Sequence, residues 1–364
     1  MEPLKEIILE GDAYQKGYSH GAQLKETIQH FVKDGRARTN ELRAVPLTDS
    51  EFGAFIGSHA AMIEQYAPHL AIELKGLAEG AEISYDEAVL LQVRSEIIYS
   101  HNFFLDAAEC STIGIHRNNE TMLGQTIDLP GELAPLGHVF RIKPSSPDQP
   151  EILMYGFAGL LGYAGLNSSG LSLNINMLTS SGWKAGVPPY LLCRLILETH
   201  SVDEAISVIK SIPRASSRCF LISDKDRMVT VEMTPNDYQL IEGDLLYHTN
   251  HYLDDRLTED ETLHFLFRNS SIKRLNQLKH LTQDNLPQTA EHLFDTFSDH
   301  SLFPIGLCAH SEGNMKRQDT VAGIVMEPQK GMLHARKGHP CETKTNTFQL
   351  QVNIHNHGKT ETTC

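Results

Sequence analysis

The order in which helical and extended patterns follow one another along the 364 residues constrains the fold most. After a short strand near the start, the first hundred residues carry apolar side chains at helical spacing. From residue 110 onward, short alternating runs separated by turn clusters predict many strands, with helical stretches between groups of them. Because the strands come in runs rather than singly between helices, the pattern favours an α+β fold with two antiparallel sheets covered by helices.

The individual elements can be placed from the same patterns. The predicted helices run onward from residue 14 and then cover 50–66, 69–80, 85–100, 190–200, 205–212 and 259–298. The predicted strands are 5–10, 112–117, 121–128, 138–143, 151–158, 163–166, 171–177, 219–224, 228–234, 238–242, 245–249, 319–327, 331–336 and 346–352. Residues 353–364 are predicted to form a loose tail.

Composition excludes some classes of function. Apolar residues make up 40% of the chain and charged residues 21%, as in soluble globular proteins. The net charge of −15 argues against nucleic acid and against an anionic membrane surface as partners. The N-terminal residues lack the basic-then-apolar order of a signal peptide, and no apolar run is long enough to cross a membrane. We therefore expect a cytoplasmic protein.

The six cysteines lie at 110, 193, 219, 308, 341 and 364, and no two of them form a CxxC pair. This spacing argues against a zinc ribbon or a thioredoxin-type redox site. A His-x-x-His motif at 248–251 ends a predicted strand, where its two histidines would face opposite ways. We therefore predict neither a metal nor a cofactor, and keep a metal-dependent hydrolase using His248 and His251 only as an alternative.

Residues 17–21 match the Gly-x-Ser-x-Gly motif of serine hydrolases. That motif requires a strand directly before the serine and a helix directly after it, whereas Ser19 lies inside a helical pattern. Gly17 and Gly21 are one helical turn apart, so close packing against another element is the better interpretation.

Cys110 and Asp128 form the most suggestive pair. Cys110 opens a predicted strand, and Asp128 ends the next strand eighteen residues later. A cysteine in this setting can be a nucleophile that becomes a new N-terminus when the chain cuts itself, with thiol and α-amino group on one residue. Taken alone, however, Cys110 fits a buried thiol, Asp128 a turn residue, Asn250 a turn and Arg317 a solvated loop charge.

In combination, these motifs resemble the acyl-coenzyme A:6-aminopenicillanate acyltransferase family of N-terminal nucleophile hydrolases, over nearly the whole chain. The motifs that carry the resemblance, in the order of the family, are 17–21, 93–96, 110–112, 124–128, 165–171, 186–188, 248–251 and 317–320. The resemblance implies a four-layer αββα sandwich with the nucleophile at the start of a central strand. It also implies a precursor that cuts itself between Glu109 and Cys110.

The implied cut would divide the chain into a mainly helical region, 1–109, and an αββα core, 110–352, followed by the tail 353–364. The fragment 1–109 would remain a partner of the rest, so that the two form a single composite domain. A glutamate rather than a glycine precedes the nucleophile, and residues 125–128 read Gln-Thr-Ile-Asp instead of Gln-Asn-Trp-Asp. These differences from the 6-aminopenicillanate acyltransferase that gives the family its name argue against β-lactam substrates but leave the implied reaction class unchanged.

The resemblance also implies a role for each matched residue. Cys110 would be the nucleophile and, through its freed amine, the base. Asn250 would support the oxyanion, and Asp128 would orient the new N-terminus. Arg317 would lie near the nucleophile and hold Asp128 or an anionic group of the substrate. Thr112 and His248 would hold these residues in position.

The function implied is that of a self-processing amidohydrolase or acyltransferase acting on a small N-acylated amine, amino acid or peptide. Acyl-CoA or a second amine could serve as acyl donor or acceptor, and a place in natural-product biosynthesis would be typical. Two alternatives remain: a hydrolase of N-β-alanyl amines within the same family, and a binding protein that keeps the fold without cutting itself.

Overall fold

Two β-sheets face each other and carry helices on their outer sides in a computed structural model, which describes residues 4–42, 45–99, 109–313 and 317–352. Helices from the middle of the chain pack on one sheet, and helices from the C-terminal third pack on the other. The predicted α+β architecture of two helix-covered sheets is therefore confirmed. The predicted tail, 353–364, lies outside the described residues.

The elements of the described chain are numbered in sequence order. The helices are α1 Ala13–Gln23, α2 Lys25–Leu42, α3 Asp49–Tyr66, α4 Pro68–Ala81, α5 Tyr85–Gln92, α6 Arg94–Tyr99, α7 Pro189–Leu197, α8 Val202–Ser211, α9 Asp255–Thr258, α10 Phe265–Thr282 and α11 Ala290–Phe297. The strands are β1 Glu6–Leu9, β2 Glu109–Arg117, β3 Glu120–Leu129, β4 Gly137–Ile142, β5 Ile152–Phe157, β6 Gly165–Asn167, β7 Ser172–Met177, β8 Arg218–Ser223, β9 Met228–Met233, β10 Tyr238–Glu242, β11 Leu245–His248, β12 Asp319–Glu327, β13 Met332–Lys337 and β14 Asn346–Gln349.

The larger sheet has eight strands in the order β1-β4-β5-β6-β7-β8-β9-β10. Its only parallel pair among the described strands joins β1 to β4; the other pairs are antiparallel. Strand β1 comes from the N-terminal region and forms an edge of this sheet. The N-terminal helices share one apolar core with it, so both parts of the chain contribute to the same interior.

The smaller sheet has six strands in the order β11-β2-β3-β12-β13-β14, all antiparallel. Its register places Glu109 opposite Asp128, Thr320 opposite Asp128, and His248 opposite Thr112. The start of β2, the end of β3, the start of β12 and the end of β11 therefore meet at one end of the sheet.

Helices α1 and α4 approach closely through glycines on both sides. A methyl group on Gly17 or Gly21 would clash with the main chain of α4, and one on Gly76 or Gly80 would clash with that of α1. Ser19 lies within α1, with no strand leading into it. The interpretation of residues 17–21 as a packing motif is confirmed, and the nucleophile elbow is excluded.

Two long predicted helices are divided in the structure. The helix expected over 85–100 breaks at Val93, where Gln92 turns its side chain to donate to the carbonyl of Gly159 and accept from the N–H of Leu161. The stretch 259–298 contains α10 and α11, with Pro287 and the cap Thr289 between them. Among the described helices, none combines the length and apolar character needed to cross a membrane.

Candidate active site

Cys110 is buried near the start of β2, and polar groups hold its main chain on both sides. Its N–H donates to Oδ1 of Asn250 at 2.8 Å. Its carbonyl oxygen accepts from Nη1 of Arg274 at 2.8 Å and from Nδ2 of Asn176 at 3.3 Å. The main chain of Cys110 is therefore fixed by three side chains that come from a loop, a helix and the opposite sheet.

Asn250 follows β11 and is held by contacts of its own. Its N–H donates to Oγ of Ser271 at 2.7 Å, and its side-chain Nδ2 donates to the carbonyl of Met177 at 3.0 Å. Because Oδ1 accepts from both Cys110 and Arg274, the hydrogen-bond network determines which way the amide faces. In the continuous chain Asn250 thus positions the Cys110 backbone, which differs from the oxyanion role that the resemblance implied.

Arg274 is the guanidinium at this site and was not predicted from the sequence. It is fully buried on α10 and donates to the carbonyl of Cys110, to Oγ of Ser111 at 3.0 Å and to Asn250. Its Nε lies 3.4 Å from a carboxylate oxygen of Glu109. One side chain therefore contacts residues on both sides of the Glu109–Cys110 bond.

Arg317, which the resemblance implies lies near the nucleophile, is exposed on the segment that precedes β12. The structure does not bring it to Cys110. A signal for Arg274 was present in the sequence: on α10 it stands four residues from Ser270 and four from Leu278, so it lies on the buried helix face. An arginine on such a face requires partners inside the protein.

Glu109 is held in place by its side chain. One carboxylate oxygen accepts from Oγ of Ser270 at 3.0 Å, and the other faces Arg274. In the register of the sheet, Glu109 pairs with Asp128. Side-chain contacts to Glu109 and main-chain contacts to Cys110 therefore fix the peptide bond between them from both sides.

Asp128 is fully buried at the end of β3, and Oγ1 of Thr320 donates to its Oδ1 at 2.6 Å. Its Oδ2 has no hydrogen-bond partner among the described residues. Burial raises the pKa of this carboxyl to about 7, with smaller contributions from the charges of Glu109 and Asp319, while Arg274 and the Thr320 hydroxyl oppose the shift. A carboxyl with this pKa can give and take a proton near neutral pH.

The Cys110 thiol is protonated in the continuous chain. Burial raises its pKa to about 12, and the charge of Asp128 adds to the effect. The backbone N–H of Asp128, the charge of Arg274 and the side chain of Gln125 oppose it without cancelling it. Because the thiolate is the nucleophilic form, the thiol needs a base that takes its proton before it can attack.

Thr112 and His248, for which the resemblance implies a supporting role, lie close to Asn176 and to the Cys110 main chain. Oγ1 of Thr112 donates toward Oδ1 of Asn176 at 3.0 Å and the carbonyl of His248 at 3.2 Å. The amide of Asn176, oriented in this way, faces the Cys110 carbonyl. Asn176 was not identified from the sequence, although a buried strand with asparagines at 174 and 176 presents a polar row on one face.

The two histidines of the His-x-x-His motif have separate partners. Nε2 of His248 lies 2.7 Å from a carboxylate oxygen of Glu232, and Nδ1 of His251 lies 2.7 Å from Oγ of Ser271. Glu232 also accepts from the N–H groups of Leu253 and Asp254, so it fixes the loop that carries Asn250. In the described part of the chain these histidines support the loop and do not converge on one point.

Together these residues provide a buried thiol, a carboxyl that titrates near pH 7 and an arginine beside one main-chain bond. Such a set can carry out nucleophilic attack on an amide carbonyl, with proton transfer to and from the carboxyl. The arginine can stabilise negative charge that develops next to it.

Comparison with known proteins points to the same chemistry. A family profile described as acyl-coenzyme A:6-aminopenicillanic acid acyl-transferase matches residues 115–341, a range that begins after Cys110. The acyl-coenzyme A:6-aminopenicillanic-acid-acyltransferase 40 kDa form of Emericella nidulans is 26% identical over 365 residues, covering 96% of this chain and 99% of the relative. The β-alanyl-dopamine/carcinine hydrolase of Drosophila melanogaster is 26% identical over 321 residues, covering 79% and 81%.

Solved structures with partial similarity include a penicillin V acylase from Agrobacterium tumefaciens, with a TM-score of 0.44 and 13% identity over 67% of this chain and 87% of that one. A conjugated bile acid hydrolase from Clostridium perfringens gives a TM-score of 0.41 and 13% identity over 69% of this chain and 100% of that one.

Proposed function

Because the chain belongs to the acyl-coenzyme A:6-aminopenicillanic acid acyl-transferase family, we propose that it is a self-processing cysteine amidohydrolase or acyltransferase acting through Cys110. Membership confirms the family predicted from the motifs, and it makes the chain an enzyme of the acyltransferase and amide-hydrolase class. The nucleophile, the cut and the substrate are the parts that we propose.

The observation that carries the proposal is the arrangement around the Glu109–Cys110 bond. Arg274 contacts both residues, and Asn250 accepts from the Cys110 N–H. The charge of Asp128 acts on the thiol, and one of its carboxylate oxygens is unpaired in the described structure. A buried cysteine with a purely structural role requires none of these polar neighbours. The cluster therefore supports a reacting centre at this bond.

In the proposed self-cleavage, Sγ of Cys110 bonds to the carbonyl carbon of Glu109 while the thiol proton passes to Asp128. The carbon–nitrogen bond then breaks, and the nitrogen takes up a proton to become the α-amino group of Cys110. The resulting thioester is hydrolysed by water, which restores the thiol and leaves a carboxylate on Glu109. The products are the fragments 1–109 and 110–364.

In turnover, the freed amine replaces Asp128 as the partner of the thiol. An α-amino group has a reference pKa of about 7.7–8.0 and a thiol one of about 8.5, so a proton passes readily between them near neutral pH. The thiolate attacks the substrate amide, the amine leaves and an acyl-enzyme remains. Asn250, relieved of the peptide N–H, would then hold the new amine.

We propose a small N-acylated amine, amino acid or peptide as substrate. The two relatives named above have the same identity to this chain, and their names describe different reactions: acyl transfer from coenzyme A and hydrolysis of β-alanyl amides. Either water or an amine could therefore accept the acyl group. A cytoplasmic location stays a prediction.

The test is the mass of the purified full-length protein under denaturing conditions. We expect the wild type to give two fragments that meet at Glu109–Cys110, and Cys110→Ala to give one intact chain. Cys193→Ala, which changes another buried cysteine, is the matched control and should be cut like the wild type. A wild type that stays uncut would favour a non-cleaving binding protein.

The substrate is tested on the cut enzyme with two probes, carcinine alone and an acyl-coenzyme A with 6-aminopenicillanic acid. The reaction is quenched with acid and the fragment 110–364 is weighed. A mass increase equal to one acyl group on this fragment identifies the acyl-enzyme. Release of that group by water or by the amine identifies the acceptor. Turnover without any dependence on Cys110 would contradict the proposed mechanism.

A further inference from the structure

A second cluster of reactive side chains lies near the start of β12, where the segment 308–310 bonds to Thr320. It consists of His300, Cys308, His310 and Cys341, whose ligand atoms all lie within 4.8 Å of one another. The two sulfurs are 3.6 Å apart, and Nε2 of His310 lies 3.5 Å from Sγ of Cys308 and 3.4 Å from Sγ of Cys341. Nε2 of His300 lies 3.1 Å from Nε2 of His310.

These four separations match four of the six edges of a tetrahedron of ligands around one zinc ion, and the remaining two, from His300 to the cysteines, lie within 4.8 Å. With zinc–sulfur bonds of about 2.3 Å and zinc–nitrogen bonds of about 2.0–2.1 Å, the edges of the tetrahedron are about 3.8 Å between sulfurs, about 3.5 Å between sulfur and nitrogen and about 3.4 Å between nitrogens. The measured separations follow the same order and lie within a few tenths of an ångström of these values. A chance grouping of side chains has no reason to reproduce these four separations.

The segments that carry the ligands are fixed by contacts of their own. The N–H of Cys308 donates to the carbonyl of Asp299, next to His300. The ring of His310 stacks on that of His339 at 3.7 Å, and Nε2 of His339 lies 3.3 Å from a carboxylate oxygen of Asp319. The ligands are therefore positioned by the surrounding structure, as in metal sites whose ligands are oriented by neighbouring groups.

We propose that His300, Cys308, His310 and Cys341 form a structural zinc site. Two thiolates and two neutral imidazoles are the ligand set of closed tetrahedral zinc sites, and they leave no open position for a substrate. Binding would release the two thiol protons, so that the charge of the ion is balanced by two thiolates. The site joins the segment after α11 to the turn between β13 and β14.

No metal was predicted from the sequence, because the cysteines lack the short spacing, such as a CxxC pair, that indicates a zinc site. Here three ligands lie within residues 300–310 and the fourth follows two strands later. Only the pairing of β12 with β13 brings Cys341 back to the other three.

Hydrogen bonds connect the proposed zinc site to the candidate active site. Ala309, between two of the ligands, donates its N–H to Oγ1 of Thr320 at 2.8 Å and accepts from the Thr320 N–H at 2.9 Å. The same hydroxyl donates to Asp128. A metal that fixes residues 308–310 would therefore also fix the Asp128 carboxyl, although the metal site itself does not depend on the proposed function.

The test is the zinc content of the untagged full-length protein, purified without chelators and measured by elemental analysis. We expect one zinc per chain in the wild type and about tenfold less or lower in Cys341→Ser and in His310→Gln. Cys341 is exposed, so its replacement should leave the fold intact, as circular dichroism would verify. His280→Gln, an exposed histidine on α10, is the matched control and should keep its zinc.

A second readout replaces zinc by cobalt(II). We expect the visible absorption of tetrahedral cobalt and a thiolate charge-transfer band in the wild type, and the loss of the charge-transfer intensity in Cys341→Ser. A wild type that binds neither ion after incubation and gel filtration would overturn the proposal. So would a mass, after alkylation of the unfolded chain, showing Cys308 and Cys341 joined as a disulfide.

Discussion

A buried guanidinium lowers stability unless its charge is matched, and Arg274 has the Glu109 carboxylate as its counter-charge at the bond that we propose is cut. Its Nη atoms donate to Cys110, Ser111 and Asn250, and its Nε faces the Glu109 carboxylate. A lysine in its place would keep the charge but lose the planar fork that reaches these partners at once.

We therefore predict that Arg274→Lys slows self-cleavage by about 10²–10³-fold, the cost of losing one well-placed donor. The measurement is the rate at which the freshly refolded chain divides, followed by denaturing mass spectrometry. Arg317→Lys is the matched control and should cleave at the wild-type rate, because its side chain is exposed. If the two variants exchanged these results, Arg317 rather than Arg274 would be the arginine that acts on the bond.

The pKa of Asp128 allows a second prediction. If Asp128 takes the thiol proton, it must be ionised, so self-cleavage should become faster as the pH rises through about 7. The Thr320 hydroxyl stabilises the ionised form, and its removal should raise the pKa further. Thr320→Val should therefore move the midpoint of the pH–rate profile to higher pH.

Thr282→Val removes another buried hydroxyl, whose partners among the described residues are α10 carbonyls and Tyr247, and should leave that midpoint unchanged. A profile that is flat around pH 7 in the wild type would exclude Asp128 as the base.

At this scale, the sequence predicts that Cys110 and Asp128 lie near each other, and their catalytic roles stay predictions. Cys110 and Asp128 could be anticipated because they stand at the ends of neighbouring strands, and sheet register then brings them together. Arg274 could not, because its contact with Cys110 depends on how α10 packs on the sheet. No local pattern near Cys110 encodes that packing.

Among the elements, the pair α1 and α4 shows how small residues determine a close helix contact. Main-chain atoms of one helix occupy the space in which a side chain on Gly17, Gly21, Gly76 or Gly80 would lie. His20 extends from the same helix and accepts a hydrogen bond from the N–H of Gly159. The contact between α1 and α4 therefore determines how the N-terminal helices pack on the eight-stranded sheet.

We predict that Gly21→Ala lowers the free energy of unfolding by at least about 2 kcal/mol, because the helices must separate to admit the methyl group. The matched control is Gly57→Ala on the exposed face of α3, where nothing lies within 4 Å of the added methyl. There the higher helix propensity of alanine should raise stability by up to about 1 kcal/mol. Urea unfolding of both variants makes the comparison, and equal effects would show that the α1–α4 contact is not tight.

Element type was well predicted where a local pattern decides it, as in the capped helix α8, in which Ser201 accepts from the N–H of Glu204. Helix length was predicted less well. The stretch 85–100 divides because Gln92 finds partners at Gly159 and Leu161, sixty-seven and more residues away. Propensity alone carries no information about such distant partners.

For the whole molecule, buried histidines link stability to pH. Burial lowers the pKa of His20 to about 3 and those of His138 and His251 to about 4. Around His20, the charges of His138 and Arg194 add to the effect of burial. The unfolded chain binds protons on these side chains near pH 6.5, whereas the folded chain does so only at much lower pH.

Folding stability should therefore be fully present above about pH 6.5 and fall as the pH decreases toward the folded pKa values, by about 1.4 kcal/mol per pH unit for each histidine. His20→Gln keeps an acceptor for the Gly159 N–H but cannot titrate, so the decrease should be less steep. Urea unfolding of the uncut Cys110→Ala chain at several pH values measures this, with exposed His280→Gln as the control. Identical slopes for the two variants would show that His20 is not the source.

Because β1 lies in the same sheet as strands from the rest of the chain, the proposed cut would change refolding from a unimolecular to a bimolecular reaction. Because β1 and the N-terminal helices share the interior of the eight-stranded sheet with the rest of the chain, both products of the cut would stay associated through a protein interior. Before the cut, refolding involves one molecule and is independent of dilution. After the cut, refolding requires an encounter between two chains. Once the cut enzyme has been unfolded by heat, it would therefore regain its structure more slowly the more the solution is diluted.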